Sequence, residues 1–154
     1  MDKAKRQIHI AELLKIAWLI ANEEAKHLGA KEILPIHFLL AALKIIDPIF
    51  PDQLDKLDIE SKEWGDMCKE ALRLRHYIDI LPDKVTDKRR ALRSRLCKER
   101  SGEPIKAQGM LHRSAELKRA FTDATMFIQG DMLDLQTVIA SLFELELVSI
   151  DDIK

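Results

Sequence analysis

The segment Ile36-His37-Phe38-Leu39-Leu40-Ala41-Ala42-Leu43-Lys44-Ile45-Ile46 constrains this chain more than any other. It follows Pro35, a residue suited to the first position of a helix, and it stops before Asp47-Pro48. Wound at about 100° per residue, it is apolar nearly all round. Such a helix has no face to give to water, so other elements must enclose it. His37 lies within this apolar run. It reads as a core histidine that hydrogen-bonds the backbone, because a buried polar group needs a partner.

The remaining sequence supplies the enclosing helices. Residues 8–28 read as one helix, with Ile10, Leu13, Leu14, Ala17, Ala21 and Leu28 on one side. Gly29 stops it, as glycine commonly does one position past a helix. Residues 47–58 read as a turn with a short helical piece. Residues 60–78 read as a helix with Trp64, Met67, Cys68, Ala71, Leu72, Leu74 and Ile78 near helical spacing. Trp64 and Cys68 are expected in the core. Leu81-Pro82-Asp83 breaks that helix, and Thr86 is placed to cap a basic helix over about 87–99. A loop runs from Ser101 to about Gly109. Helices follow over 114–128, with Leu117, Ala120, Phe121, Ala124 and Ile128 as the stripe, and over about 135–147. No segment alternates convincingly as a strand, so the fold class is all-α.

Composition narrows the class further. A chain of 154 residues with 47% hydrophobic and 33% charged residues forms one domain with its own core. It is neither disordered nor collagenous. No apolar run approaches the roughly 18 residues of a membrane span. The start, Met1-Asp2-Lys3-Ala4-Lys5-Arg6, lacks the apolar core of a signal peptide. Cys68 and Cys97 are far apart with no CxxC, which reads as a reduced, cytosolic chain. No GxxxxGK[ST], HExxH, CxxC pair or EF-hand loop is present. The reading is therefore no ATPase, no enzyme, no metal and no cofactor, with neither a membrane nor a small molecule as partner.

Charge is unevenly placed. Residues 1–60 hold 8 basic against 10 acidic residues, 61–100 hold 12 against 7, and 101–154 hold 5 against 9. The basic block peaks over 84–100, where Lys88, Arg89, Arg90, Arg93 and Arg95 are the candidate contacts for phosphates or an acidic partner. A nucleic-acid-binding protein is the alternative reading. The near-neutral total, the acidic flanks and the lack of interleaved aromatics count against it. A second candidate surface lies on the first helix. Leu19 points away from the stripe, among Lys15, Asn22 and Lys26, with Ile16 and Trp18 flanking the stripe. Ile16, Trp18 and Leu19 form a candidate groove for an apolar or amphipathic segment, unless another helix covers them. Glu23-Glu24 reads as a solvated face.

The two halves share a pattern. The first has Ala21, Ala25, Gly29, Ile33 and His37 leading into an apolar helix; the second has Ala120, Ala124, Gly130, Leu133 and Thr137 leading into another. Alanines four residues apart let a second helix approach closely, so two such units can pair about a pseudo-twofold axis. The stretch Glu23-Glu24-Ala25-Lys26-His27-Leu28-Gly29-Ala30-Lys31-Glu32-Ile33-Leu34-Pro35-Ile36-His37-Phe38-Leu39-Leu40-Ala41-Ala42-Leu43 resembles the N-terminal repeat of the Clp/Hsp100 family of AAA+ unfoldases. Ile33 to His37 matches the Ile-x-Pro-x-His form of its disaggregase branch. The second repeat, Ser114 to Phe143, is a degenerate copy with Thr137 in the place of the His.

The resemblance implies a single domain over 1–154, with repeat 1 over about 8–78, a basic connector over about 79–110 and repeat 2 over about 111–150. It implies a protein-binding module that presents substrates or adaptors to an AAA+ ring, carried on the same parent chain or on another. In the branch that reads phosphorylated arginine, a Glu precedes the His position of each repeat. Ile36 and Gln136 stand there in this chain and offer no carboxylate to a guanidinium-type group, so phosphoarginine recognition is not expected.

Overall fold

The structure, a computed structural model, describes residues 7–47, 61–99, 103–104, 109–128 and 130–153. The described elements are β1 (His9–Ile10), α1 (Glu12–His27), α2 (Pro35–Ile46), α3 (Ser61–Ile78), α4 (Pro82–Glu99), α5 (Ala115–Thr125), β2 (Met132–Leu133), α6 (Leu135–Glu144) and a final 3-10 turn (Ile150–Ile153). The protein is mostly helical. The short helical piece expected within 47–58 and the core position expected for Trp64 lie outside the described residues and side chains.

α2 occupies the centre, as its all-round apolar sequence requires. Phe38 to Leu43, Ile45 and Ile46 are all buried. α1 packs along it through Ala17, Ala21 and Ala25, which are fully enclosed. Three side chains of one carbon each, four residues apart, let the two backbones close on one another. α1 ends as read: Ala30 N–H reaches back to Ala25 C=O (2.9 Å), with Gly29 at φ 75°. That left-handed position is free of Cβ strain only for glycine. α3, α4 and α6 also pack against α2.

Residues 9 and 10 are extended, so α1 starts at Glu12. His9 and Ile10 pair in parallel with Met132 and Leu133, and Ile33 bridges Arg113 in the same sense. Two hydrogen bonds have the same form in these pairings. Ala11 N–H donates to Leu133 C=O, and Ser114 N–H donates to Ile33 C=O, each at 2.9 Å. This corrects the strand-free expectation. Strands of two residues contain no alternation to read.

The residues read as a connector are also corrected. α4 begins at Pro82, behind Asp79 at φ 59°, and it packs on α2 through buried Val85 and Leu92. Thr86 therefore lies inside the helix and caps nothing. Its hydroxyl bonds both carboxylate oxygens of Asp47 at 2.9 Å. Cys68 is half-buried rather than enclosed.

The starts of α2, α5 and α6 use different caps. Ser114 Oγ accepts from Leu117 N–H (3.1 Å), and Asp134 Oδ1 accepts from Thr137 N–H (2.8 Å) and Thr137 Oγ (2.6 Å). α2 has Leu34 at its N-cap, which offers no acceptor. His37 supplies one instead: its Nδ1 accepts from Leu34 N–H at 2.9 Å. Burial lowers the His37 pKa from 6.5 to about 4. The unfolded chain therefore takes up a proton near pH 6.5, and the folded one only near 4. Stability is complete above that range and falls as pH drops through it, by about 3 kcal/mol in all. We expect urea midpoints to fall between pH 7 and pH 5 by the equivalent of about 2 kcal/mol. A His37→Asn variant should have a flatter profile over that interval. Equal slopes would assign the acid loss to other groups.

Candidate functional site

The basic helix uses its arginines inside the fold. Arg89 is buried, and its Nε lies 3.3 Å from Asp47 Oδ2, at the end of α2. Arg93 holds the buried carboxylate of Glu24 on α1, with Nε 3.1 Å from Oε2 and a second contact from Nη2 to Oε1. Arg95 Nη2 lies 2.9 Å from Asp152 in the final turn, and its Nε lies 3.9 Å from Glu99. The sequence-based contact strip is corrected accordingly. Arg89, Arg93 and Arg95 hold α4 to three other elements, while Lys88 is half-buried and Arg90 is exposed. Glu24, read as solvated, is part of the same bonding.

The candidate groove on α1 is also altered. Ile16 is partly buried and packs on the core. Trp18 is half-buried, with its ring edge-on to Phe121 (centroids 5.1 Å, interplanar 61°). Phe121 in turn meets Phe38 of α2 at 5.4 Å and 86°. The Arg113 guanidinium lies 4.7 Å from the Trp18 ring centroid and 4.8 Å from that of Phe121. Burial lowers the pKa of Arg113. Trp18 is thus the outer member of an aromatic stack between α1, α5 and α2, not the wall of an open groove. Of the three residues, only Leu19 is exposed, at 57%. One and two turns further along α1, Asn22 and Lys26 bind the segment before α5. Asn22 Oδ1 accepts from Leu111 N–H at 2.8 Å, and Lys26 Nζ donates to Gly109 C=O. The polar face of α1 is therefore partly covered by the chain itself.

A better-formed opening lies between α5 and α6. α5 buries Leu117, Ala120, Phe121 and Ala124. The chain then leaves the helix in a turn, with Met126 N–H bonded to Asp123 C=O and Phe127 N–H to Ala124 C=O, both at 3.0 Å. That turn carries two large apolar side chains into solvent: Met126 is 77% exposed and Phe127 70%. α6 buries Leu135, Val138, Ile139 and Leu142. Its other side, with Gln136, Thr137, Ala140, Ser141 and Glu144, lines a cleft of about 570 Å³ together with Asp123, Phe127 and Leu145. Among the described residues the lining holds two carboxylates and no cation. Neither Asp123 nor Glu144 forms an ion pair among the described residues. Burial, then the Glu144 charge, raises the pKa of Tyr77 on α3, so that phenol stands close to the same end of α6.

A second cavity of about 400 Å³ sits where the α1–α2 turn meets the end of α4. Its lining mixes both signs of charge, with Lys31 opposed by Glu32 and Glu99. Among the described residues no group of three or more His, Cys, Asp or Glu side chains is placed to hold a metal, and no helix is long and apolar enough to cross a membrane.

Sequence reading missed the α5–α6 cleft. The signal was present in Met126-Phe127, two apolar residues just off the α5 stripe and just before Gly130. Periodicity treats such a pair as the fraying end of a helix, and it does not reveal that they stand exposed. Compared with known protein families, characterised proteins and solved structures, the chain matches none.

Proposed function

We propose that this chain is a protein-binding module that docks an apolar or amphipathic segment in the α5–α6 cleft. One observation carries the reading: Phe127, a large apolar side chain that stands in solvent, lines an open cleft, and exposed Met126 precedes it in the same turn. Single exposed apolar residues are ordinary, but a neighbouring pair at the mouth of a concavity fits a partner's side chains.

The proposal extends to the setting. The chain serves a Clp-type AAA+ unfoldase or disaggregase in the cytosol as its substrate- or adaptor-recognition domain. The ring that hydrolyses ATP is carried on the same parent chain or on another. The paired hydrogen bonds described above support a pseudo-twofold arrangement of Clp-type repeats. Ile33 and Leu133, the apolar anchors of the two related segments, each accept from the residue that caps the first helix of the other half. The halves differ in that α1 has 16 residues and α5 has 11. The nucleic-acid alternative loses support, because three of its five candidate cations are bound to carboxylates of the fold.

The test is binding of a fluorescently labelled, permanently unfolded polypeptide by anisotropy, with Phe127→Ser and Leu19→Ser in parallel. Burying a Phe side chain is worth about 1.5–3 kcal/mol, so Phe127→Ser should weaken binding by about ten- to a hundredfold. Leu19→Ser should leave it within about twofold. The reverse order would return the site to α1, and binding that neither substitution changes would remove both.

A further inference from the structure

We infer that the segment docked in the α5–α6 cleft is cationic as well as apolar, with a Lys or Arg side chain held between Asp123 and Glu144 and an adjoining apolar side chain against Phe127. This inference rests on the docking reading above and adds the chemistry of the occupant.

The argument starts from the cost of covering the cleft. Asp123 and Glu144 belong to its lining, and among the described residues no Lys or Arg does. Arg119 precedes Asp123 by one helical turn and is exposed, yet it forms no ion pair with it. A purely apolar segment seated here would strip water from two carboxylates and return no partner. An acidic segment would add repulsion. A guanidinium or ammonium replaces the lost water with charge-assisted hydrogen bonds. The rest of the lining suits such a group. Gln136 and Thr137 present oxygen acceptors on one side of α6.

The surrounding charge points the same way. Residues 101–154, which include α5 and α6, carry 9 acidic against 5 basic residues. The three arginines of α4 that bind carboxylates do so at Asp47, Glu24 and Asp152, none of which lines the cleft. The cleft therefore keeps its negative potential, which speeds encounter with a basic segment at low salt.

The experiment uses three labelled peptides with one leucine pattern of helical spacing, carrying Lys, Gln or Glu at every other position. Anisotropy is measured at low and high salt with the unmodified chain, Asp123→Asn/Glu144→Gln and Phe127→Ser. The Lys peptide should bind about tenfold tighter than the Gln peptide at low salt and lose that margin at high salt. The Glu peptide should bind weakest. Asp123→Asn/Glu144→Gln should erase the Lys preference, and the Gln peptide should bind it at least as tightly as the unmodified chain, because the carboxylates it would desolvate are gone. Phe127→Ser should weaken all three peptides. If the Glu peptide binds as well as the Lys peptide, or the double variant keeps the preference, the inferred charge chemistry is wrong. If Phe127→Ser weakens all peptides while the double variant changes nothing, docking stands and the cationic occupant falls. If neither variant alters any peptide, both readings fall together. Sedimentation showing a dimer that Phe127→Ser disperses would assign the cleft to a second copy and overturn the inference.

Discussion

Arg89→Ala should lower the stability of this domain by about 3–5 kcal/mol, the range for removing one member of a buried ion pair. Asp47 is wholly enclosed, and Arg89 is nearly so. The pair joins the C-terminal end of α2 to the middle of α4, and Thr86 steadies the same carboxylate. Truncating Arg89 leaves an anion in a low-dielectric setting without the guanidinium that balances it. The end of α2 also depends on α3, where Arg75 donates from Nε (3.2 Å) and Nη2 (3.0 Å) to Ile46 C=O. The loss at Arg89 should therefore loosen a junction of three helices. In a domain of this size each kcal/mol shifts the melting temperature by about 2–4 °C, so a drop of about 10 °C is expected in calorimetry. Arg90→Ala, on the exposed side of α4, should change it by less than about 2 °C. The double variant Asp47→Leu/Arg89→Met should lose less than Arg89→Ala, since it removes the buried charge altogether. A small effect of Arg89→Ala would mean that α4 is a loosely attached connector after all.

Phe121→Ala should cost about 3–5 kcal/mol, the range for a large aromatic removed from a core. Phe121 lies between Trp18 and Phe38, with Arg113 over its ring. It thereby joins α5 to both α1 and α2. Its removal deprives Trp18 of the ring it packs against and α2 of an edge-to-face contact, a geometry worth about 0.5–1.5 kcal/mol beyond the area buried. Trp18 is half-buried, so Trp18→Ala should cost less than Phe121→Ala. In a Trp64→Phe background the Trp18 emission reports on the stack directly. It should shift to longer wavelength in Phe121→Ala while the chain remains folded. Unchanged emission would show that Trp18 is held by something other than Phe121.

These two positions mark where sequence reading succeeded and where it could not reach. The central place of α2 was legible because its residues have no polar face, and the end of α1 was legible because Gly29 takes a left-handed turn. The stripe that buries Phe121 was legible from spacing alone. The role of α4 was not. Its apolar face consists of Val85 and Leu92 with Arg89 between them, a pattern that reads as solvated. The residue that makes Arg89 a core group, Asp47, lies far away in the chain. Trp18 was misjudged for a related reason, while Leu19 is exposed as read. Periodicity says which side of a helix is apolar but not which other element arrives there, and the arrivals were Phe121, Arg113 and the segment around Gly109. The α5–α6 cleft escaped because a concavity depends on how two helices pack, and neither helix alone encodes it.

Amide chemical-shift mapping tests the central claim most directly. The labelled domain would be titrated with an unfolded, leucine- and lysine-bearing polypeptide, and the perturbed amides placed on the fold. The account predicts that perturbations concentrate at 123–128 and 136–145, with Tyr77 at their border, and that Phe127→Ser removes them. Perturbations centred on Leu19 or on 84–100, with 123–128 and 136–145 unmoved, would contradict it.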